Sequence, residues 1–168
     1  MIKVGDRLPA VKLHEYNEVE TEGCALGPLE VDVAQAAAGK KIVLFGLPGA
    51  YTPTCSARHV PGYLANYQAL RDAGVDEIWC VSVNDAFVMG AWGREQQAAG
   101  KVRMLGDGSA AFTNALGLAQ DLSARGMGVR SKRYALLAVD GVVEALNIEA
   151  PGAFEVSNAE TMLEAVRA

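Results

Sequence analysis

Apolar residues change their period several times along this chain, and each change predicts an element. Residues 1–34 carry short alternations such as Ala10-Val11-Lys12-Leu13-His14 between glycines and acidic residues, which predicts an N-terminal strand or hairpin and a loop. A short helix is expected over 33–38, closed by Gly39, because glycine adopts a left-handed cap at the least cost. The continuous run Ile-Val-Leu-Phe in 41–45 is the mark of a strand buried on both faces. From 53 to 73 the apolar positions Val60, Tyr63, Leu64, Tyr67 and Leu70 recur at helical spacing, with Pro61 set to kink the first turns. A second buried strand follows at 77–83, then a helix capped by Asn84-Asp85 and running to about residue 99. A third strand at 102–105 leads to Asp107-Gly108-Ser109, read as the cap of a helix over 110–116. Residues 134–139 and 142–148, joined by Asp140-Gly141, make a hairpin with a type I′ turn, and a helix over 158–166 ends the chain. Strands alternating with helices before a terminal hairpin imply an α/β fold, a mixed sheet covered by helices on both faces.

Composition narrows the function. The 168 residues carry no repeat, linker or low-complexity tract, so a single domain over 1–168 is expected. A net charge of −5 argues against a nucleic-acid partner, which needs a basic stripe. No apolar run approaches the roughly 20 residues that span a bilayer, and no charged leader precedes an apolar stretch, so neither a membrane nor secretion is expected. Three cysteines, Cys24, Cys55 and Cys80, are too few and wrongly spaced for a disulfide scaffold or a structural zinc site. A reducing cytoplasm is the simplest compartment, and there a lone thiol points to chemistry.

The chemistry concentrates in Phe45-Gly-Leu-Pro-Gly-Ala-Tyr-Thr-Pro-Thr-Cys-Ser-Ala-Arg-His-Val-Pro-Gly-Tyr63. This segment leaves the C-terminal end of a buried strand, where open α/β sheets bind ligands, and enters a helix whose first turn holds Cys55. Unpaired N–H groups at a helix start favour an anion, and the thiolate is the reactive form of cysteine. Thr52 stands three residues before Cys55, so a helical turn puts its hydroxyl beside the sulfur, and Pro48 would shield the sulfur from water. Taken alone, Thr52 and Pro53 also read as an ordinary N-cap with a first-turn proline.

The spacing Pro48-x-x-x-Thr52-x-x-Cys55 resembles the signature of the peroxiredoxins, and Pro-Gly-Ala-Tyr-Thr-Pro-Thr-Cys-Ser with His59-Val-Pro-Gly-Tyr63 resembles their type V or plant type II branch. Val81-Ser-Val-Asn-Asp-Ala-Phe-Val88, Trp92-Gly-Arg94, Lys101-Val-Arg103 and Arg130-Ser-Lys-Arg-Tyr134 extend the likeness over roughly residues 1–150. The resemblance implies a thioredoxin-like fold, no cofactor, and Cys55 as the nucleophile that attacks a hydroperoxide and becomes a sulfenic acid. It implies further that the Cys55 N–H, the Thr52 hydroxyl and the Arg133 guanidinium are the donors stabilising the breaking O–O bond. By proximity alone Arg58 rivals Arg133. His59 reads as a packing or capping residue, and Trp92 and Phe87 as core or subunit contacts.

The sulfenic acid must be rescued by a thiol. No cysteine follows residue 80, so a C-terminal resolving cysteine of the mammalian type V kind is absent. Cys80 is similar to the second cysteine of plant type II proteins, though a disulfide needs Cα atoms within about 7 Å and the Cys55 helix would have to unwind. The alternative is an external thiol from glutaredoxin with glutathione, or from thioredoxin. The family implies a homodimer. Competing readings are a general thiol–disulfide oxidoreductase, disfavoured by the missing C-x-x-C, and a redox-regulated chaperone or peroxide-sensing module.

Overall fold

In the computed structural model, which describes residues 1–17 and 27–168, the chain opens with strand β1 (Lys12–Glu15) paired antiparallel to β2 (Leu29–Asp32), followed by α1 (Val33–Ala37). The Cys24 position lies outside the described residues. Strand β3 (Lys41–Leu47) then leads through the Pro48 loop to a π-helical turn (Cys55–His59), α2 (Val60–Ala65), α3 (Tyr67–Asp72) and β4 (Glu77–Ser82). Next come α4 (Ala86–Glu95), β5 (Val102–Gly106), α5 (Ala111–Leu116), β6 (Ala119–Asp121) and β7 (Val129–Ser131). The hairpin β8 (Tyr134–Val139) and β9 (Val142–Ile148) and the helix α6 (Ala159–Arg167) complete it.

Seven strands form one mixed sheet in the order β2-β1-β5-β4-β3-β8-β9, with β3, β4 and β5 parallel and β8 antiparallel to β3. This is the thioredoxin-like α/β arrangement with helices on both faces. Alternation along the central strands divides the core. Val43, Phe45, Cys80 and Leu137 face α2, α3, α4 and α6, whereas Ile42, Leu44, Trp79 and Leu136 face α1 and α5. Among the described residues no helix is long and apolar enough to cross a membrane.

Three expectations change. The helix expected over 53–73 is broken. The Val60 N–H reaches back to the Cys55 carbonyl, five residues away, giving a π turn at the cysteine, and a second break falls at Asn66 (φ −98°, ψ 7°). Pro61 lies at the start of α2 and offers no N–H to a helical ladder across this turn, so the irregularity sits before the proline rather than at it. The helix expected from 110 begins at Ala111, because Ala110 takes a left-handed conformation (φ 59°). The cap falls within Asp107-Gly108-Ser109 as expected: the buried Asp107 carboxylate accepts from the N–H groups of Phe112 and Thr113 at 3.0 and 2.8 Å. The small β6–β7 hairpin was not foreseen, its three-residue strands being too short to show a period. The type I′ turn has the form expected, with positive φ at both Asp140 (50°) and Gly141 (77°).

Candidate active site

The C-terminal end of β3 sets the site. Gly46 lies against the Tyr134 ring so closely that a Cβ there would sit 2.1 Å from it, which holds β3 and β8 together just before the loop. Beyond β3 the loop is braced from two sides. The Ala50 N–H donates to Asn84 Oδ1 at 2.9 Å, and Arg130 Nη1 donates to the Pro48 carbonyl at 3.4 Å while passing where any side chain on Gly49 would be. The π turn is pinned from α4, where Trp92 donates its indole N–H to Ser56 Oγ at 3.0 Å and Gln96 donates to the Ser56 carbonyl at 3.2 Å. Trp92 is fully buried, as a core residue should be, whereas Phe87 is exposed and lies against Tyr16.

Cys55 is buried beneath this loop. Arg133, in the short gap between β7 and β8, donates from Nη2 to Cys55 Sγ at 3.2 Å. The planar guanidinium fork leaves further N–H groups for a second partner. Arg58 points elsewhere: it is exposed, with its guanidinium 4.8 Å from the Phe154 ring centre. Thr52 donates its hydroxyl proton to the Gly49 carbonyl at 2.8 Å, so its oxygen presents lone pairs to a further partner. Pro48, Thr52 and Arg133 line a cleft of about 460 Å³ together with Lys132, Ile148 and Pro151. Among the described residues, a hollow of about 610 Å³ beside Tyr16 and Arg103 is lined by no cysteine, serine, threonine or histidine.

Cys80 lies on β4 opposite Phe45 of β3 and Met104 of β5, fully buried and unbridged. Burial pushes its thiol well above the usual range.

His59, expected to pack or to cap, is buried and also touches Arg133. Its Nδ1 lies 2.8 Å from Arg133 Nη1 and its Nε2 lies 3.0 Å from the Ser157 carbonyl. Burial first, and the neighbouring guanidinium second, lower its pKa to about 3. The Ser157 carbonyl also accepts from the Tyr63 hydroxyl at 2.8 Å. Glu149 collects the N–H groups of Glu155, Val156 and Ser157 and the Ser157 hydroxyl. Its burial opposes ionisation, but these hydrogen bonds outweigh it and hold the carboxyl below its ordinary value.

Comparisons with known proteins agree with this geometry. The Redoxin family matches residues 3–163. Peroxiredoxin-2D of Arabidopsis thaliana is 50% identical over 98% of this chain and 98% of its own length. Peroxiredoxin-2E-2, chloroplastic, of Oryza sativa subsp. japonica is 51% identical over 98% of this chain and 72% of its own length. The crystal structure of reduced Prx3 from Vibrio vulnificus in complex with H2O2 superposes with a TM-score of 0.89 at 50% identity, covering 99% of each chain. Seven strands in the thioredoxin-like order, a buried cysteine under an arginine and these relatives lead to one conclusion: the chain belongs to the redoxin family as a peroxiredoxin of the type V or plant type II branch, a thiol-dependent peroxidase.

Proposed function

We propose that Cys55 is the peroxidatic nucleophile, that Arg133 and Thr52 position the peroxide, and that an external thiol restores the enzyme. The observation that carries this reading is Arg133 Nη2 at 3.2 Å from Cys55 Sγ, the one cationic donor on a buried thiol among the described residues. A small hydroperoxide enters the cleft beside Pro48 and donates its O–H to the Thr52 oxygen, whose own proton is engaged by Gly49. The thiolate attacks the terminal peroxide oxygen. An S–O bond forms as the O–O bond breaks, sulfur loses two electrons to the peroxide, and the departing alkoxide or hydroxide takes up a proton to leave as alcohol or water. Arg133 and the Cys55 N–H oppose the negative charge that moves along this axis.

The products are the Cys55 sulfenic acid and one hydroxyl compound. A thiol then attacks the sulfenic sulfur, releasing water and leaving a mixed disulfide, and a second thiol frees Cys55 as the disulfide of the two donors. Glutathione with glutaredoxin suits this step better than Cys80, whose thiol is buried on a central strand and held protonated. The reading includes a cytoplasmic location and a homodimer, the latter consistent with the exposed rings of Phe87 and Tyr51 and tested by light scattering.

Cys55→Ser is expected to abolish peroxide consumption, while Cys80→Ser and Cys24→Ser retain it; retained activity in Cys55→Ser overturns the assignment. Mass spectrometry after one equivalent of peroxide and then glutathione should find glutathione on Cys55. A Cys55–Cys80 linkage would instead transfer the resolving role to Cys80.

A further inference from the structure

His59 sits at the centre of a closed circuit of hydrogen bonds that begins and ends on Arg133. A carbonyl oxygen only accepts, so the Ser157 carbonyl 3.0 Å from Nε2 requires the ring proton to be on Nε2. Nδ1 is then a bare lone pair, and Arg133 Nη1 donates into it at 2.8 Å. The other arm of the same fork, Nη2, is on Cys55 Sγ at 3.2 Å. The circuit closes through the main chain: Ser157 donates its N–H and hydroxyl to Glu149 at 2.8 and 2.6 Å, and the Glu149 N–H donates to the Arg133 carbonyl at 3.0 Å. Ring contacts hold the imidazole in place, with Phe45 at 4.7 Å and Phe154 at 4.9 Å between centroids.

An arginine side chain has four rotatable torsions and carries much rotamer freedom. A contact to a sulfur that is oxidised in each turnover, with the Phe154 ring centre 5.8 Å from the guanidinium carbon, does not fix which way the N–H groups of the fork point. We propose that His59, as the neutral Nε2–H tautomer, is a positioning residue that fixes the Arg133 fork with one arm aimed at the sulfur, and that the 149–157 segment exists in part to set that tautomer. This rests on the reading of Cys55 and Arg133 given above. A histidine that merely filled the core would satisfy its nitrogens without regard to which one carries the proton. Here the two nitrogens have separate duties. Nε2 takes its orientation from Ser157, and Nδ1 passes it to the guanidinium. Protonation would remove the acceptor and place a second cation against Arg133, and the low pKa of about 3 keeps the ring out of that state at neutral pH.

The two amide isosteres separate these duties. Asparagine reproduces the Nδ1 position, so His59→Asn offers Arg133 an oxygen acceptor and gives up Ser157. Glutamine reproduces the Nε2 position, so His59→Gln keeps the donor to Ser157 and gives up the acceptor. Stopped-flow oxidation of Cys55 by hydrogen peroxide should slow roughly tenfold or more in His59→Gln and His59→Leu, and only a few-fold in His59→Asn. Alkylation by iodoacetamide, which has no O–O bond to align, should change far less than the peroxide rate. In an Arg133→Ala background the three substitutions should have no further effect on that rate.

Equal loss in His59→Asn and His59→Leu with unchanged circular dichroism, or a full peroxide rate in His59→Leu, overturns the proposal. So does a further tenfold loss on the Arg133→Ala background. Should the variants fail to fold, two-bond proton–nitrogen spectra of the wild-type protein decide it: the Nε2–H tautomer is expected throughout the neutral range, and an Nδ1–H or protonated ring refutes it. A wild-type peroxide rate in Arg133→Ala would instead remove the underlying reading, a result distinct from any of these.

Discussion

Arg133 and His59 show what single side chains contribute. Arg133→Ala should slow the peroxide step by about 10²–10³-fold, the usual cost of removing one donor from a developing anion, as read by stopped-flow at fixed pH. Arg133→Lys should recover little, because one ammonium cannot reach both His59 Nδ1 and Cys55 Sγ from a single planar fork. His59 also ties stability to acidity. Its folded pKa of about 3 lies below the ordinary 6.5, so the unfolded chain binds the extra proton, and stability is complete above 6.5 and falls as pH drops. Glu149, held below 4.5, begins to cost stability only under that value. Between pH 6.5 and 4.5 urea unfolding should therefore show a loss of about 2–3 kcal/mol that His59→Asn lacks. Cys55, Thr52 and Pro48 could be picked out from sequence because they share one short segment. Arg133 came only through resemblance, and the duty of His59 not at all, since its partners Arg133 and Ser157 lie 74 and 98 residues away.

Among the elements, the π turn at Cys55–His59 is the least regular and the most dependent on neighbours. Its own sequence does not hold it. Trp92 of α4 and Gln96 at its C-terminal end tie down Ser56 from outside, while Tyr63 and His59 share the Ser157 carbonyl. Trp92→Phe removes the donor to Ser56 together with part of the buried indole. It should cost about 2–3 kcal/mol in stability, hydrogen bond and lost packing together, while raising amide exchange across 55–59 more than in β3 or β4. Uniform exchange would show that the indole contact does not restrain the turn. The apolar period across 53–73 correctly announced helix, but spacings of one, three and four residues do not distinguish an α from a π turn. The hairpin β8–β9 was legible to the residue because Asp140-Gly141 dictates its turn geometry, and the start of α5 was legible to within one residue, with Asp107 in its cap as expected. Its cap is a carboxylate reaching forward from Asp107 past a left-handed Ala110.

For the whole molecule, the two described thiols belong to different classes of motion. Cys80 is enclosed by β3, β5 and both neighbouring core strands' side chains, so a thiol reagent reaches it only when the sheet opens. Its labelling rate should rise with urea at nearly the slope of global unfolding, while that of Cys55 should rise on a shallow slope set by the π turn. A shallow slope for Cys80 would show local access and revive its claim as a resolving thiol. The sheet order explains the difference, since β4 lies in the interior of seven strands while Cys55 lies on their C-terminal rim.

The last turn of the chain before α6 has an outcome for proteolysis. Pro151 and Gly152 are exposed, yet the segment they begin delivers Ser157 to His59 and is gathered on Glu149. A single cut there would sever no bond to Cys55, Thr52 or Arg133 and would leave every strand of the sheet in place. It would nonetheless free the carbonyl that sets the imidazole, so the chain could lose its peroxidase activity by a nick that leaves Cys55, Thr52 and Arg133 themselves intact.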